Sequence, residues 1–465
     1  MSQFVFDGGC GEVTGSMHII EHRGRYVALD CGLFQGRRAE ANAKNRSFAV
    51  APRKIDCVIL SHGHIDHSGR LPRLVREGFT GTIYATPATR DLTAILLADS
   101  AHIQEEDAEF YNKKRLKNGE PPVEPLYNME DAAETMKQFL AVPYNMPFSP
   151  VEGVRFTFFD AGHILGSAMV LLEIQDQRGG VRVVFSGDLG RPGLPILKDP
   201  TPLPPCDHLI VESTYGNRTH ENPRDMKDKL REQILLTVQR SGKVIIPSFS
   251  VGRTQNLVYY LTQLMHEGAL PNIPVFIDSP LSVNATEVFR LHPECFDTEA
   301  LRWVKQLGDV LGNTCCRFIR STADSKALND LHDPCVIISA SGMCEAGRIL
   351  HHLANNIEDE RSTILVVGFM AEHTLGRRIV ERQSEVKIFG RMYQLKARVK
   401  TLNGFSAHAD AAELLGWVSP LAGQVRNVFV VHGEHEQSSV FAEKLREIGC
   451  RSVHQPTPGQ EFPIA

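Results

Sequence analysis

The run Ser61-His62-Gly63-His64-Ile65-Asp66-His67 sets three imidazoles and a carboxylate almost side by side. These side chains cannot all share one face of a helix or a strand, whose periods are about 3.6 and 2 residues. A tight loop has to turn them inward. Imidazole nitrogen with carboxylate oxygen suits zinc, and manganese or iron less well. His62 and His64 are placed to share one ion, while Asp66 and His67 point to a second. Three further segments each leave an apolar strand beside glycine with one ligand-type residue: His163 in Gly162-His163-Ile164, Asp188 in Gly187-Asp188-Leu189 and His432 in Val431-His432-Gly433. Each alone reads as a structural histidine or a turn aspartate. Together with the central run they complete two coordination shells. Asp30, in Leu29-Asp30-Cys31-Gly32, is of another kind, since ligating histidines donate their second N–H to a carboxylate or carbonyl. It reads equally as an orienting partner and as a plain turn aspartate.

Sites of this kind form along a sheet edge, so strands should precede the ligands. Tyr26–Leu29, Cys57–Leu60 and Thr82–Ala85 are short apolar runs closed by turn residues, and further strands are expected near Val154–Phe159 and Val181–Phe185. Residues 89–139 are charged and helical in pattern, broken at Gly119-Glu120-Pro121-Pro122. Beyond the run Pro200-Thr201-Pro202-Leu203-Pro204-Pro205 the pattern changes to strand–loop–helix units, which predicts an α/β module with a mostly parallel sheet. The helix after Pro223 shows Met226, Leu230, Ile234 and Val238 at four-residue spacing, with Asn222 as a cap. From about Lys387 the pattern is strand-rich again and includes Val428-Phe429-Val430-Val431.

At 465 residues the chain exceeds one ordinary core, so two domains are expected. No apolar run approaches the length needed to span a bilayer, and the N-terminus lacks a signal-peptide pattern. Ten scattered cysteines without a Cys-x-x-Cys spacing predict a reduced, cytoplasmic protein whose cysteines pack as small apolar residues. The net charge of −5 argues against a basic coat, so contacts to a nucleic acid would have to be local.

Asp30, His62-x-His64-x-Asp66-His67, His163 and Asp188, in this order, resemble the metallo-β-lactamase superfamily. The resemblance implies an αββα sandwich with metals at one sheet edge. It implies His62, His64 and His163 on one metal, Asp66 and His67 on the other, and Asp188 bridging. The chain beyond Asp188 is similar to the β-CASP nucleases, through Glu212-Ser213-Thr214-Tyr215-Gly216, Gly404-Phe405-Ser406-Ala407-His408 and Val430-Val431-His432-Gly433. Pro247–Gln255 and Ser339–Met343 match inner landmarks, so the likeness covers nearly the whole chain. It implies a lactamase-type domain over residues 1–208, an inserted β-CASP α/β domain over 209–390 and a return segment over 391–465. A histidine at the place of His432 goes with RNA-processing members, where DNA-repair members carry valine. The implied substrate is single-stranded RNA. The Glu-Ser-Thr-Tyr-Gly form is similar to the mRNA 3′-end cleavage and polyadenylation endonuclease and its bacterial and archaeal relatives more than to RNase J. Without the KH-bearing N-terminal extension of archaeal factors, the resemblance is to the bacterial-type minimal enzyme. His373 stands where the family usually has glycine, either altering substrate contact or lying in solvent.

A phosphodiester resists attack because the entering oxygen, the phosphate and the leaving oxygen are all electron-rich. Two metal ions can neutralise that charge and lower the pKa of a bound water to about 7. The expected cofactor is two zinc ions, with manganese as an alternative. Asp188 would hold both ions, His432 would complete the second shell, and His408, oriented and kept charged by Glu212, is the candidate acid for the leaving 3′-oxygen. Arg253, at a helix start, the turn Ser341-Gly342-Met343, and Arg377 are candidates for phosphate contact; each arginine reads equally as a salt-bridge residue. His351-His352 and His435 read as solvated or structural. The alternatives are a small-molecule hydrolase acting on a lactam, thioester or lactone, a DNA nuclease, and a non-catalytic RNA-binding subunit. Endonuclease against 5′–3′ exonuclease action is left open, as is a homodimer.

Overall fold

The computed structural model of the chain describes residues 2–176, 179–312 and 315–464. They form two compact units, one of Met1–Pro192, Asp199–Thr219 and His408–Ala465, the other of Gly193–Lys198 and His220–Ala407.

In the first unit, alternation along each strand builds a layered sandwich. One seven-stranded sheet runs Gln460–Pro463, Ser2–Gly8, Met17–His22, Arg25–Leu29, Cys57–Ile59, Thr82–Ala85, Phe139–Ala141. The other runs Val453–His454, Asn427–Val431, His208–Glu212, Gly179–Phe185, Ala168–Asp176, Val154–Asp160, Phe148–Val151. Val27, Leu29, Cys57 and Ile59 of the first sheet share one core with Val183, Phe185, Ile210, Phe429 and Val431 of the second. Their neighbours in the chain face outward. Ala28, Val58 and Leu60 meet Leu71 and Leu74 of the helix Leu71–Arg76. Leu209, Val211, Val428 and Val430 meet the helices Ala411–Val418 and His435–Glu447. This is the αββα sandwich that the resemblance implied. Each fully buried Val, Leu, Ile or Phe contributes about 1.5–3 kcal/mol, so the inner core is stiff enough to hold loops at its edge. The helix Pro87–Lys117, capped by Thr86, joins that edge: the hydroxyls of Thr86 and Thr89 donate to the carbonyl of Gly166 at 2.7 and 2.8 Å, anchoring the loop that carries His163.

The second unit is a six-stranded sheet in the order Cys316–Phe318, Val275–Asp278, Val336–Ser339, Val244–Pro247, Thr363–Val366, Arg398–Thr401, with every pair parallel. A separate antiparallel hairpin pairs Glu385–Ile388 with Arg391–Gln394. The helix Met226–Val238 buries Met226, Leu230 and Ile234, but its last inward residue is Thr237 rather than Val238. Thr237 bonds Thr363 of the sheet at 2.7 Å. Asn222 caps a short 3₁₀ turn ahead of that helix.

Three differences from the sequence reading have physical reasons. The long strand Ala168–Asp176 is absent from that reading; it pairs antiparallel on both sides. The inserted unit starts at His220 rather than at 209, because His208–Glu212 lies in the middle of the second sandwich sheet. It ends at Ala407 rather than at 390, because Arg398–Thr401 pairs with Thr363–Val366. All ten cysteines are free, eight of them buried. No helix among the described residues is long and apolar enough to cross a membrane.

Candidate metal centre

Strands of the first unit deliver the site from their ends. Leu29 is followed by Asp30 at φ +62°, Phe185 leads to Gly187 at +52°, and Val431 is followed by His432 at +47°. Each left-handed residue turns the chain sharply off the sheet. Cys57–Ile59 leads through Leu60 and Ser61 into the histidine run, where His64 starts the short helix Ile65–Ser68. The loops touch backbone to backbone. A Cβ on Gly32 would lie 1.6 Å from the Asp66 carbonyl oxygen, and one on Gly190 would lie 1.8 Å from that of Gly162. Glycine is required at both contacts.

Two groups of side chains converge there. The nitrogens of His62, His64 and His163 gather around one oxygen of Asp188, with His62 Nε2 at 3.4 Å and His163 Nε2 at 3.5 Å from Oδ2. Asp66, His67 and His432 gather beside the other oxygen, with His67 Nε2 at 3.2 Å and His432 Nε2 at 3.4 Å from Oδ1. Asp188 thus presents one oxygen to each group.

The tautomers follow from the surrounding hydrogen bonds. Ser61 Oγ donates to Asp30 Oδ2 at 2.9 Å, so at 3.1 Å from His62 Nδ1 it can only accept. His62 Nε2 is therefore bare and faces the site. His67 Nδ1 bonds Asp30 Oδ2 at 2.7 Å, which turns His67 Nε2 toward Asp188 at 3.2 Å. That nitrogen and both Asp188 oxygens are buried and make no hydrogen bond. Buried carboxylate oxygens facing imidazole nitrogens call for a proton or a metal cation among them. The donor set fits metal ions, and imidazole nitrogens gathered around a shared carboxylate fit zinc. Burial alone would raise the Asp188 carboxyl, but His432, His67, His62 and His408 outweigh it and hold it well below the usual carboxylate range. Burial pushes the His432 imidazole down to about 3, favouring the neutral, ligating form.

Asp30 accepts from the Ser61 backbone N–H at 2.7 Å as well as from His67, so it orients the loop. Partners of this kind tune metal affinity by about 10–100-fold. Asp30→Asn, which tolerates the same backbone, is expected to weaken metal binding by about that factor, read by competition with a chromophoric chelator; unchanged affinity would reduce Asp30 to a turn residue.

A third group joins Asp188, Glu212 and His408. His408 Nδ1 lies 3.2 Å from both Glu212 oxygens, and Glu212 also accepts from the Leu189 N–H at 2.6 Å. With Nδ1 committed, Nε2 is the nitrogen left for a substrate. The His408 side chain is 21% exposed, whereas Asp188 is 1% exposed. Burial disfavours charge on His408, but Glu212 and Asp188 outweigh it and lift the imidazole to about 9.

The sequence reading missed the braces of this group. Arg191 Nε donates to Glu413 at 2.9 and 3.1 Å, and Glu413 forms a capping box with Asp410. With the Ala409 N–H to Leu189 carbonyl bond at 2.8 Å, this pins the His408 segment to the Asp188 loop. The Asp410-x-x-Glu413 spacing was the available signal. Ser213, between Glu212 and the turn, donates from its hydroxyl to the Val431 carbonyl at 2.8 Å and from its N–H to the His432 carbonyl at 3.2 Å, so the Glu212 and His432 turns are one bonded unit.

The candidate phosphate residues all belong to the second unit, at the carboxyl ends of neighbouring strands. Arg253 begins the helix Arg253–His266 and donates to the Val367 carbonyl, which makes it a brace between two loops. Gly342 faces the Phe249 ring, with Ser341 and Met343 in the same turn. Arg377 pairs with Glu381 at 2.6 Å, one turn along its helix. His373 is exposed at φ +68°, a left-handed backbone in which glycine is unstrained. His352 is buried and bonds Asp278 at 2.6 Å.

Comparison with known proteins agrees with this architecture. Family models match over residues 10–237 (metallo-beta-lactamase superfamily), 254–379 (Beta-Casp domain) and 392–456 (Zn-dependent metallo-hydrolase RNA specificity domain). A ribonuclease of Thermus thermophilus is 36% identical over 98% of this chain and 99% of that protein. A transcription termination factor of Methanosarcina mazei is 30% identical over 92% of this chain and 66% of its own length. A crystal structure of an Enterococcus faecalis protein of unknown function shares the fold, with a TM-score of 0.58 at 11% identity and 99% of each chain covered. With its sandwich, its paired metal-ligand groups and near end-to-end similarity to the Thermus relative, the chain belongs to the β-CASP family of the metallo-β-lactamase superfamily.

Proposed function

We propose that this metal-dependent hydrolase is a ribonuclease that cleaves phosphodiester bonds of single-stranded RNA, in a reducing, cytoplasmic setting. His62, His64, His163 and Asp188 would hold one zinc ion, and Asp66, His67, His432 and Asp188 a second. Bound there, the ions supply an activated water at neutral pH and offset the charge that builds on phosphorus. Asp188 divides its two oxygens between the groups and sets their separation. Asp30 and Ser61 hold His67 and His62 in the tautomers that present Nε2. His408, with Nδ1 on Glu212, has Nε2 to give a proton to the leaving 3′-oxygen.

The observation that carries this reading is the Glu212–His408 pair beside Asp188. A lactam, thioester or lactone hydrolase has no need of it. The Thermus relative's name and the RNA specificity model support RNA as the polymer. A narrower reading, in which the RNA is a nascent transcript, is favoured by the archaeal relatives named as termination factors, of which the Methanosarcina protein is one.

The test is incubation of the zinc-loaded protein with labelled single-stranded RNA, matching DNA and a lactam. RNA is expected to be cleaved, and DNA and lactam to survive. Intact RNA alongside an opened lactam would end the ribonuclease proposal. Comparing 5′-phosphate with 5′-hydroxyl RNA separates internal cleavage from 5′–3′ trimming.

A further inference from the structure

On a chain of net charge −5, residues 385–401 carry Lys387, Arg391, Lys396, Arg398 and Lys400 against a single acid, Glu385. All five cations are exposed, and none forms an ion pair among the described residues. The backbone arranges them regularly. In the hairpin, Val386, Ile388 and Tyr393 pack into the core of the second unit, while Lys387 stands opposite Met392 on the outer face. Phe389 at the turn is 55% exposed and Met392 57%. The strand Arg398–Thr401 is a sheet edge. Val399 is buried, so Arg398 and Lys400 share the strand's opposite face, and Lys396 is exposed just before the buried Ala397. At about 3.3 Å rise per residue, Arg398 and Lys400 of the strand stand ~6.6 Å apart, a spacing close to that of successive phosphates in an extended single strand, and Lys396 lies at the bend just ahead of them. Arg240 adds to the positive field: its guanidinium lies 3.1 Å from Thr363, the residue paired with Arg398.

A charged edge strand also guards against edge-to-edge aggregation. That role needs neither a cationic hairpin just before it in the chain nor an exposed phenylalanine at the hairpin tip. An acidic protein partner would meet the charges but has no use for their regular repeat. The RNA specificity model begins at residue 392 and takes in Lys396, Arg398 and Lys400.

We propose that Lys396, Arg398 and Lys400, with Lys387 and Phe389 of the hairpin, form a surface that tracks the backbone of single-stranded RNA, with a base stacked on Phe389. The choice of polymer rests on the ribonuclease reading. Contacts of this kind are sequence-independent and salt-sensitive, with a slope of about −0.7 per neutralised phosphate on single strands, and stacking tolerates any base.

The experiment is fluorescence anisotropy of a labelled 20-nucleotide oligouridylate with the full chain in EDTA, from 50 to 200 mM salt. The variant Lys396→Gln/Arg398→Gln/Lys400→Gln is expected to bind about 10–100-fold more weakly at 100 mM salt, with the slope reduced by about 2. Lys396→Arg/Arg398→Lys/Lys400→Arg is expected to stay within about threefold of the parent, since backbone charge is all that is read. Cleavage of a dinucleotide by the zinc-loaded glutamine variant should match the parent. The proposal is overturned if the parent binds RNA and the glutamine variant matches it in affinity and slope, while the ribonuclease reading survives that result. It is equally overturned if the charge-keeping variant loses binding, or if only affinity for polyglutamate falls. A parent that binds no RNA at all sinks both readings.

Discussion

Asp188→Ala is expected to strip the two proposed metal ions and abolish the proposed RNA cleavage, with kcat/KM falling on the order of 10⁴-fold or more, because the ions would supply both the activated water and the charge compensation. The reason lies in how one side chain serves two groups. Oδ2 is shared with His62 and His163, and Oδ1 with His67 and His432. Removing the carboxylate would take a proposed ligand from each group at once. It also removes the anion that faces four buried imidazoles, so any cation placed there meets less opposite charge. Asp188→Asn should do nearly as much harm, since an amide offers one acceptor oxygen and turns N–H donors toward the second group. Metal content by elemental analysis and cleavage of labelled RNA are the two readouts. Retention of two ions per chain with activity within tenfold of the parent would remove Asp188 from the bridging position.

His408→Ala should behave differently. Its imidazole is held by Glu212 and sits 3.8 Å from Asp188, outside both histidine groups. Metal content is therefore expected to be unchanged. A positioned general acid contributes about 10²–10⁴-fold, so kcat on RNA should fall by that range with KM little altered. The discriminating substrate is bis(p-nitrophenyl) phosphate, whose leaving group departs without a proton. Its hydrolysis should be affected far less, within about tenfold, because Brønsted demand for an acid falls with the leaving group's pKa. Glu212→Gln should give an intermediate loss, as the amide still accepts from His408 Nδ1 but no longer favours the charged imidazole. If His408→Ala slows both substrates equally, or loses metal, His408 is a structural or ligating residue and the proton must come from elsewhere.

The residues that converge could be named from sequence because metal chemistry restricts them to histidine and aspartate, and because each follows an apolar strand. Sheet topology carries such strand ends to one edge, so local pattern and site coincide. The sandwich was legible for the same reason: Val27, Leu29, Val183 and Phe185 alternate in the chain with residues that face the outer layers. Atom-level choices were not legible. Which nitrogen of His62 or His67 faces inward depends on Ser61 and on Asp30, the latter more than thirty residues from His67 in the chain. The roles of arginines were equally hidden, because a guanidinium reaches several partners and only packing selects one. Arg253 was taken up by a carbonyl and Arg377 by a neighbouring glutamate. The unit boundaries moved to His220 and Ala407 because strand pairing, a long-range event, decides which sheet a segment joins. By itself the sequence determined the donor set and the layer architecture, which depend on residue type and short-range period. Tertiary structure alone decided the bond of His67 to Asp30, the partner of Arg253 and which side of residues 396–400 is exposed, because these depend on packing against distant parts of the chain.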